Sequence, residues 1–557
     1  MSYSTLPRIP SRWSQSDSQA STSPVSPDEG VVQSVIKIPS TTYLGVESTV
    51  APTPQLERNT ADPTSSERAA LLASSSSAAA GSAADAPDQW AWRDVHCEAR
   101  TLGRLSAPIT LAASLQILNI LVPGMVLGRL GTDAIAASAL AMSVASFSAA
   151  APLIGLLSAL DTLCSQAATG SSRPGLPGIY LQRCLLLCIA SFIPSVILWW
   201  NIHPIFIYLR QDPVIAAMAA RYLRYVTFSL FFTLAFESIK KFFIAQGFHH
   251  AISLVQVLGT PITLASVYFL AVHPATSIGY VGIPASVAIS YALSSLMAFA
   301  WLKTYGGSRG WTGLSWEAFR GWGRMARLAV PGAIMVSSEI VALDLLTVAT
   351  SYLGPTALAA QAIVSMTIQS SGTLLMGLSA VTANRVGNLL GLAQPHRARN
   401  AAMAALGCGT IVGIVLGVTL YSLRGQWSYV FNPDPEVHAI VKHMIPLLAS
   451  LLALTVITAL SLGILRGQGR PKIGAYMNLA SFYLVAAPVG FLTLRYTSMG
   501  IVGLWLSFSM AVFTSGLGQL FFLLRTNWYD QVLKCEARLA HDGHQEGLLT
   551  PEDHLSA

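Results

Sequence analysis

The stretch LAVPGAIMVSSEIVALDLLTVATSYL, running from Leu328 to Leu353, is apolar over the length of a bilayer-spanning helix yet carries Glu339 and Asp344 near its middle. A carboxylate at that depth costs about 2.5–3.5 kcal/mol on insertion scales, so something must offset it. Acids in such places usually face a water-filled cavity or a partner helix and bind a proton, an ion or a cationic solute. Pro331, just ahead of them, removes one backbone hydrogen bond and can bend the helix. Five residues separate the acids, about 140° around an ideal helix. Either the bend distorts that turn or the two serve different neighbours. The stretch reads as the ion-coupled centre of a transporter.

The rest of the chain is built of the same material. Of its 557 residues 53% are hydrophobic and 11% charged, against about 25% charged in a soluble domain. The net charge of +7 is modest and spread over short connections, which fits membrane orientation and not nucleic-acid binding. Cys97, Cys164, Cys184, Cys188, Cys408 and Cys535 are scattered, with neither zinc-site spacing nor a disulfide framework. Cys184 and Cys188, one helical turn apart, read as packing. No metal or organic cofactor is expected beyond a coupling ion. There is no GxxxxGK[ST] loop for ATP and no His/Asp cluster at a membrane interface, so the chain is not expected to be an enzyme.

Residues 1–103 are rich in Ser, Thr, Pro and Ala and are expected to form a disordered cytosolic tail. Within it Glu67, Leu71 and Leu72 match the acidic dileucine pattern, either a sorting signal read by coat adaptors on vacuolar or endomembrane routes or an inert tail segment. The first thirty residues lack a continuous apolar core, so the first membrane helix is expected to direct insertion. From Arg104 onward twelve apolar segments follow, at about 106–127, 135–159, 180–200, 217–239, 251–272, 278–302, 327–352, 357–382, 401–423, 438–464, 474–495 and 500–524. Trp199, Trp200, Trp301, Trp427, Trp505 and Trp528 fall near their ends, as interfacial anchors should. Twelve crossings put both tails on one side, and the connections there are richer in Lys and Arg by about two to one, which places both termini in the cytosol.

An internal repeat orders these segments. Pro108 and Pro331, Leu130-Gly131 and Leu353-Gly354, and Ala136-Ala137 and Ala359-Ala360 are each separated by 223 residues. Asp212-Pro213 matches Asp434-Pro435, and Gln246-Gly247 matches Gln468-Gly469, at 222; Gly279 and Gly282 match Gly500 and Gly503 at 221. Six helices per unit is an even number, so the halves enter the membrane the same way round and are related by an axis along its normal. The expected architecture is therefore an all-α membrane protein with an N-lobe over 104–303, a cytosolic linker and hinge over 304–326 containing a short interfacial helix, a C-lobe over 327–525 and a cytosolic tail over 526–557. By the same offset Gln116 stands where Glu339 does and Leu121 where Asp344 does, so only the second half carries titratable groups at this depth.

Four stretches resemble multidrug and toxic compound extrusion (MATE) transporters of the eukaryotic branch. They are Gly155 to Ala167 with Asp161 and Gln166, Pro331 to Met335 followed by Glu339 and Asp344, Asn384-Arg385-Val386-Gly387-Asn388, and Arg466 to Asn478. The resemblance covers about residues 104 to 525 and implies a two-lobed exporter driven by inward proton or sodium flow. Three departures narrow the coupling set. Asp344 stands where the family commonly has glutamate, no acid occurs from Leu345 to Pro433 or between Glu436 and Asp530, and the first helix offers only Gln116 and Asn119.

The functional expectation is a secondary antiporter that exports or sequesters organic, cationic or amphipathic, compounds in exchange for protons. Sodium coupling and a lipid-linked or amphipathic-lipid flippase are the alternatives. Glu339 and Asp344 are the candidate ion-coupling and substrate-binding residues, weighed against a buried structural hydrogen bond. Gln116, Asn119, Gln361, Gln369, Tyr476, Asn478 and Tyr483 are candidate polar cavity residues, with Ser338 and Thr347 beside them; each alone reads more readily as an interhelical hydrogen bond. Asp161 reads as a cap or ion pair, Glu237 with Lys240 and Lys241 as a local charge cluster, and His249 and His250 as solvated turn residues. The expected partners are small organic solutes and the lipid bilayer, vacuolar, other endomembrane or plasma membrane, the chain acting as a monomer.

Overall fold

The computed structural model describes residues 92–304, 310–431 and 434–543. Glu67, Leu71 and Leu72 lie outside the described residues. Those that are described form twelve long helices with no strand among them, and a last amphipathic helix, Trp528–Gly543. The first six run over Asp94–Leu130, Asp133–Gly170, Leu176–Trp200, Pro213–Ala245, His249–Val272 and Gly279–Thr304. The second six run over Trp322–Ser351, Pro355–Gly391, Pro395–Ser422, Pro435–Gly467, Pro471–Tyr496 and Gly500–Leu524. Ten are long and apolar enough to cross a membrane by length and composition. The fourth and eighth fall outside that group because Arg221, Arg224 and Glu237 interrupt one and a Ser/Thr/Gln-rich run from Gln361 to Thr373 the other.

The repeat is written into the backbone. Gly131 (φ 115°) and Gly354 (φ 103°) open the second and eighth helices in the same left-handed-side conformation, which an L side chain resists. Asp212 accepts from the backbone N–H of Val214 and Asp434 from that of Glu436, each just before a proline in the first turn, the combination that starts a helix cleanly. Gly247 and Gly469 terminate the fourth and tenth helices at φ 86° and 73°. Packing repeats as well. Within the first six helices the second, third and sixth surround the fourth, while the first packs on the fifth; within the second six the eighth, ninth and twelfth surround the tenth, and the seventh packs on the eleventh.

Halves so related meet through equivalent surfaces. The first helix packs against the eighth, and the seventh against the second. These contacts gather toward the face where the first helix begins and the twelfth ends, which we call the terminal face. There a Cβ added to Gly155 would lie 2.4 Å from Ala333 Cα, and one added to Gly170 would lie 2.5 Å from the Gly391 carbonyl oxygen. The outer part of the first helix, Leu118–Leu130, finds its main packing partners on its own half. The lobes are thus joined at the terminal face and separate toward the far face.

Several expectations need correction. Trp199, Trp505 and Trp528 are buried and not interfacial: Trp199 Nε1 donates to Ser148 Oγ at 3.0 Å and Trp505 Nε1 to Gln361 Oε1 at 2.6 Å. Both helices bury the end where a lipid anchor was expected. His249 is buried in the first turn of the fifth helix, not solvated. Lys240 pairs with Glu237, but Lys241 turns to Asp161 instead of joining their cluster. The linker's expected interfacial helix is a single 3-10 turn, Trp316–Phe319, tied to the N-lobe by Arg173, which grips both carboxylate oxygens of Glu317 at 3.0 and 2.8 Å.

Candidate functional site

The seventh helix is unbroken from Trp322 to Ser351 with Pro331 inside it. Pro331 therefore does not distort the turn between the acids. Glu339 and Asp344 remain about 140° apart and look onto different surroundings. The first helix differs at the matching place. It carries Pro123 as well as Pro108 and is interrupted at Ile117, directly after Gln116.

Glu339 lies one turn beyond Met335, on the side of the helix that meets the eleventh. Met335 is fixed there, because its carbonyl accepts from Asn478 Nδ2 at 3.0 Å. Further along that side Ala342, Leu345 and Leu346 form one wall of a cavity of about 250 Å³, closed by Phe482, Tyr483 and Phe508 of the eleventh and twelfth helices. The opposite wall is shaped by a widened π-turn, Ala480–Ala486, a feature that often marks functional places in helices. Asp344 points away from this cavity by helical register. One of its oxygens is shut off from solvent without a hydrogen-bond partner. Both acids are partly buried, and among the described residues neither carboxylate has an ion-pair partner.

Not all of the sequence-derived polar residues gather here. Tyr483 lines the cavity. Asn478 and Gln361 are instead fasteners: Asn478 Oδ1 accepts from Ser515 and Gln519, and Gln361 bonds Thr347, Ser365 and Trp505. The bonds to Met335, Ser515, Gln519, Thr347 and Trp505 hold neighbouring helices together. Ser338 returns its hydroxyl to the Met335 carbonyl. Gln116 lies beside Tyr291 within the N-lobe, and Asn119 keeps a buried, unpartnered Oδ1 beyond the interruption. Tyr476 is 65% exposed and Gln369 is exposed, and neither lines the cavity beside the seventh helix.

The terminal face holds charges whose pairing sequence spacing does not reveal. Asp161 of the second helix is fully buried between Lys241 Nζ at 2.7 Å and Arg466 Nη1 at 3.2 Å, the latter from the tenth helix. Gln166 Nε2 donates to the Gly467 carbonyl at 2.9 Å, and Thr169 Oγ1 to that of Asn388 at 2.8 Å. Glu98 at the start of the first helix receives Arg385 and Arg397 from the eighth and ninth. The two lobes are therefore latched by ion pairs and by side chains that satisfy helix-end carbonyls. An offset of 223 relates Asp161 to Asn384, also buried.

Two matched segments fall on the two lobes: the MatE family model covers residues 108–269 and 328–492. The chain belongs to the MATE family of transporters. An uncharacterized transporter of Schizosaccharomyces pombe is 31% identical over 86% of this transporter and 88% of its own length. Protein DETOXIFICATION 16 of Arabidopsis thaliana is 31% identical over 78% of this chain and 90% of its own. The crystal structure of the eukaryotic MATE transporter AtDTX14 superimposes with a TM-score of 0.75 at 26% identity, covering 80% of this chain and all of that one. The transporter thus has the family's twelve helices in two lobes.

Proposed function

We propose that this transporter is a proton-coupled antiporter that exports or sequesters organic, cationic or amphipathic, compounds, with both tails in the cytosol. The observation that carries the reading is the pair of carboxylates on the seventh helix, neither with an ion-pair partner among the described residues and both further along that helix than its Gly332–Ala333 contact with the second helix. Exchange then works by competition. A deprotonated acid attracts a cationic solute and resists being closed off unpaired; a protonated acid loses that attraction and tolerates closure. Loading with protons from the far side and release of cargo there become mutually exclusive. A lipid flippase would want basic groups at mid-depth, and the charges at that depth are acidic. The relative named DETOXIFICATION fits the organic class of cargo. Glu67, Leu71 and Leu72 fit an adaptor-read address for a vacuolar or endomembrane destination.

The deciding experiment is flux in proteoliposomes under an imposed pH gradient, repeated under a sodium gradient, with a panel of organic cations. Glu339→Gln should abolish pH-driven uptake. Undiminished transport by that variant would defeat the assignment, and flux that follows only the sodium gradient would replace the coupling ion.

A further inference from the structure

The residues that follow the twelfth helix carry one apolar stripe: Trp528, Val532, Cys535 and Leu539 recur at the spacing of a helix face. They form the C-terminal helix, opened by Asn527 Oδ1, which accepts from the Tyr529 backbone N–H at 3.1 Å. Its first turns belong to the C-lobe. Trp528, Val532 and Cys535 are buried in one cluster with Leu390 of the eighth helix and Ala401 of the ninth. Tyr529 bonds His396 of the ninth helix, and Arg470 Nη1 reaches Thr526 Oγ1 at 3.0 Å just ahead of the C-terminal helix.

The last turns lead away from that lobe. The second and eighth helices end at Gly170 and Gly391, and a Cβ on Gly170 would lie 2.5 Å from the Gly391 carbonyl oxygen and 2.8 Å from Leu539 Cδ1. Leu539 therefore sits on the line where the lobes meet, half-buried, and it packs both on the cluster centred in the N-lobe and on the one beneath Trp528. Its neighbour Arg538 donates through Nη2 to the Gln468 carbonyl at 3.1 Å, with Nη1 2.1 Å from the place a Cβ on Gly469 would take. Arg538 thus covers the end of the tenth helix. The linker does the same for the N-lobe, since a Cβ on Gly310 would lie 2.7 Å from Gln246 Oε1, just past the fourth helix. Covering a helix end is a task that the repeat sets twice. It does not require the chain to cross to the other lobe, and Leu539 does cross.

We propose that the C-terminal helix is a clasp: it travels with the C-lobe, and its Leu539 end holds the N-lobe in the arrangement closed at the terminal face and lets go when the lobes part there. That the lobes part at this face rests on the exchange reading above. Which end lets go follows from the contacts. Three buried side chains and two polar contacts fasten the first turns to the C-lobe, whereas the half-buried end alone reaches the N-lobe. Half-burying a leucine biases such an equilibrium by roughly threefold to tenfold.

The test uses the full-length chain carrying Ser158→Cys, in phosphatidylcholine nanodiscs. Ser158 is buried in the seam, its Oγ 2.2 Å from the place a Cβ on Gly332 would take, and it lies about 18 Å along the second helix from Gly170. Alkylation of the new cysteine by N-ethylmaleimide, read by mass spectrometry of its peptide, tracks the fraction of time the seam is parted. Leu539→Ala should raise the rate threefold to tenfold. Ending the chain after Arg538, which keeps every C-lobe anchor, should raise it at least as much, and either variant serves if the other does not fold. Leu533→Ala, on the exposed face of the same helix, should change it less than twofold. Cys164, buried inside the N-lobe where its Sγ faces the Pro177 carbonyl, should not accelerate with the seam. Unchanged alkylation in the folded tip variants, the same rise in Leu533→Ala, or an equal rise at Cys164 overturns the proposal. The readout uses neither cargo nor an ion gradient, so a failure of pH-driven flux would refute the exchange reading and still leave the clasp to be decided by these rates.

Discussion

Asp161 Oδ2 lies 3.2 Å from Arg466 Nη1, although the two residues belong to different lobes and stand 305 positions apart. Asp161 is wholly buried, and Lys241 is bonded to both of its oxygens. This carboxylate balances two cations at the place where the lobes are latched. Removing it leaves both under-compensated in a dry contact, which typically costs about 3–5 kcal/mol. Asp161→Asn should therefore lower the melting temperature of the purified transporter markedly. Arg466→Gln added to it should restore part of the loss, because one stranded charge disappears. A double variant that melts below Asp161→Asn would show that the ion pair is not what joins the lobes here.

Close backbone approach is the second component of the latch. On Gly155 a Cβ would come within 2.4 Å of Ala333 Cα, and on Gly332 within 2.6 Å of the Gly155 carbonyl oxygen. Neither neighbour is a flexible side-chain end, so the helices must move apart. Gly155→Val should weaken the terminal-face contact. Cysteines placed at 169 and 388 in a cysteine-free background, where Thr169 now bonds the Asn388 carbonyl, report on it directly. Oxidative cross-linking between them should fall several-fold in the Gly155→Val background; unchanged cross-linking would mean the helices absorb the added methyls without parting.

How much of this was legible in the sequence depends on whether a feature is local or relational. Gly131 and Gly354, or Asp212-Pro213 and Asp434-Pro435, announce themselves because each satisfies a demand of its own backbone, and the demand recurs wherever the fold does. Glu339 and Asp344 announce themselves because an acid in an apolar run is costly wherever it faces. Trp505 and Asn478 did not, since an indole near a helix end and an amide inside one look alike whether they meet lipid, cavity or another helix. Only the packing of the twelfth helix on the eighth and eleventh turns the first toward Gln361 and the second toward Ser515. The pairing of Asp161 with Arg466, and the convergence of Arg183 with Arg324, are properties of the interface between lobes and have no counterpart in spacing along the chain.

The register of the seventh helix separates the two acids. Facing different sides of an unbroken helix, Glu339 and Asp344 should titrate as largely independent groups and not as a shared-proton pair. Under the proton-exchange reading, Asp344→Asn should slow pH-driven uptake less severely than Glu339→Gln, and the residual rate should keep a single-proton pH dependence that Glu339 supplies. If Asp344→Asn abolishes the pH dependence altogether while leaving transport, the two carboxylates act as one unit and the register argument fails.

The C-terminal helix is docked, not trailing. Trp528, Val532 and Cys535 are buried against the ends of the eighth and ninth helices, and Leu539 reaches Gly170 of the second. Burial pushes the Cys535 thiol up to about 11, so near pH 7.5 only roughly one thiol in a few thousand is the reactive thiolate, against about one in ten for an ordinary cysteine. N-ethylmaleimide should therefore modify exposed Cys97 well before Cys535. Trp528→Ala removes the aromatic anchor at the start of this helix, a truncation that typically costs about 3–5 kcal/mol, and should raise Cys535 alkylation at least tenfold as the helix lifts. Mass spectrometry of the alkylated peptides reads both rates in one experiment. Equal modification of Cys97 and Cys535 in the unaltered protein would mean that the helix does not stay seated across the two lobes.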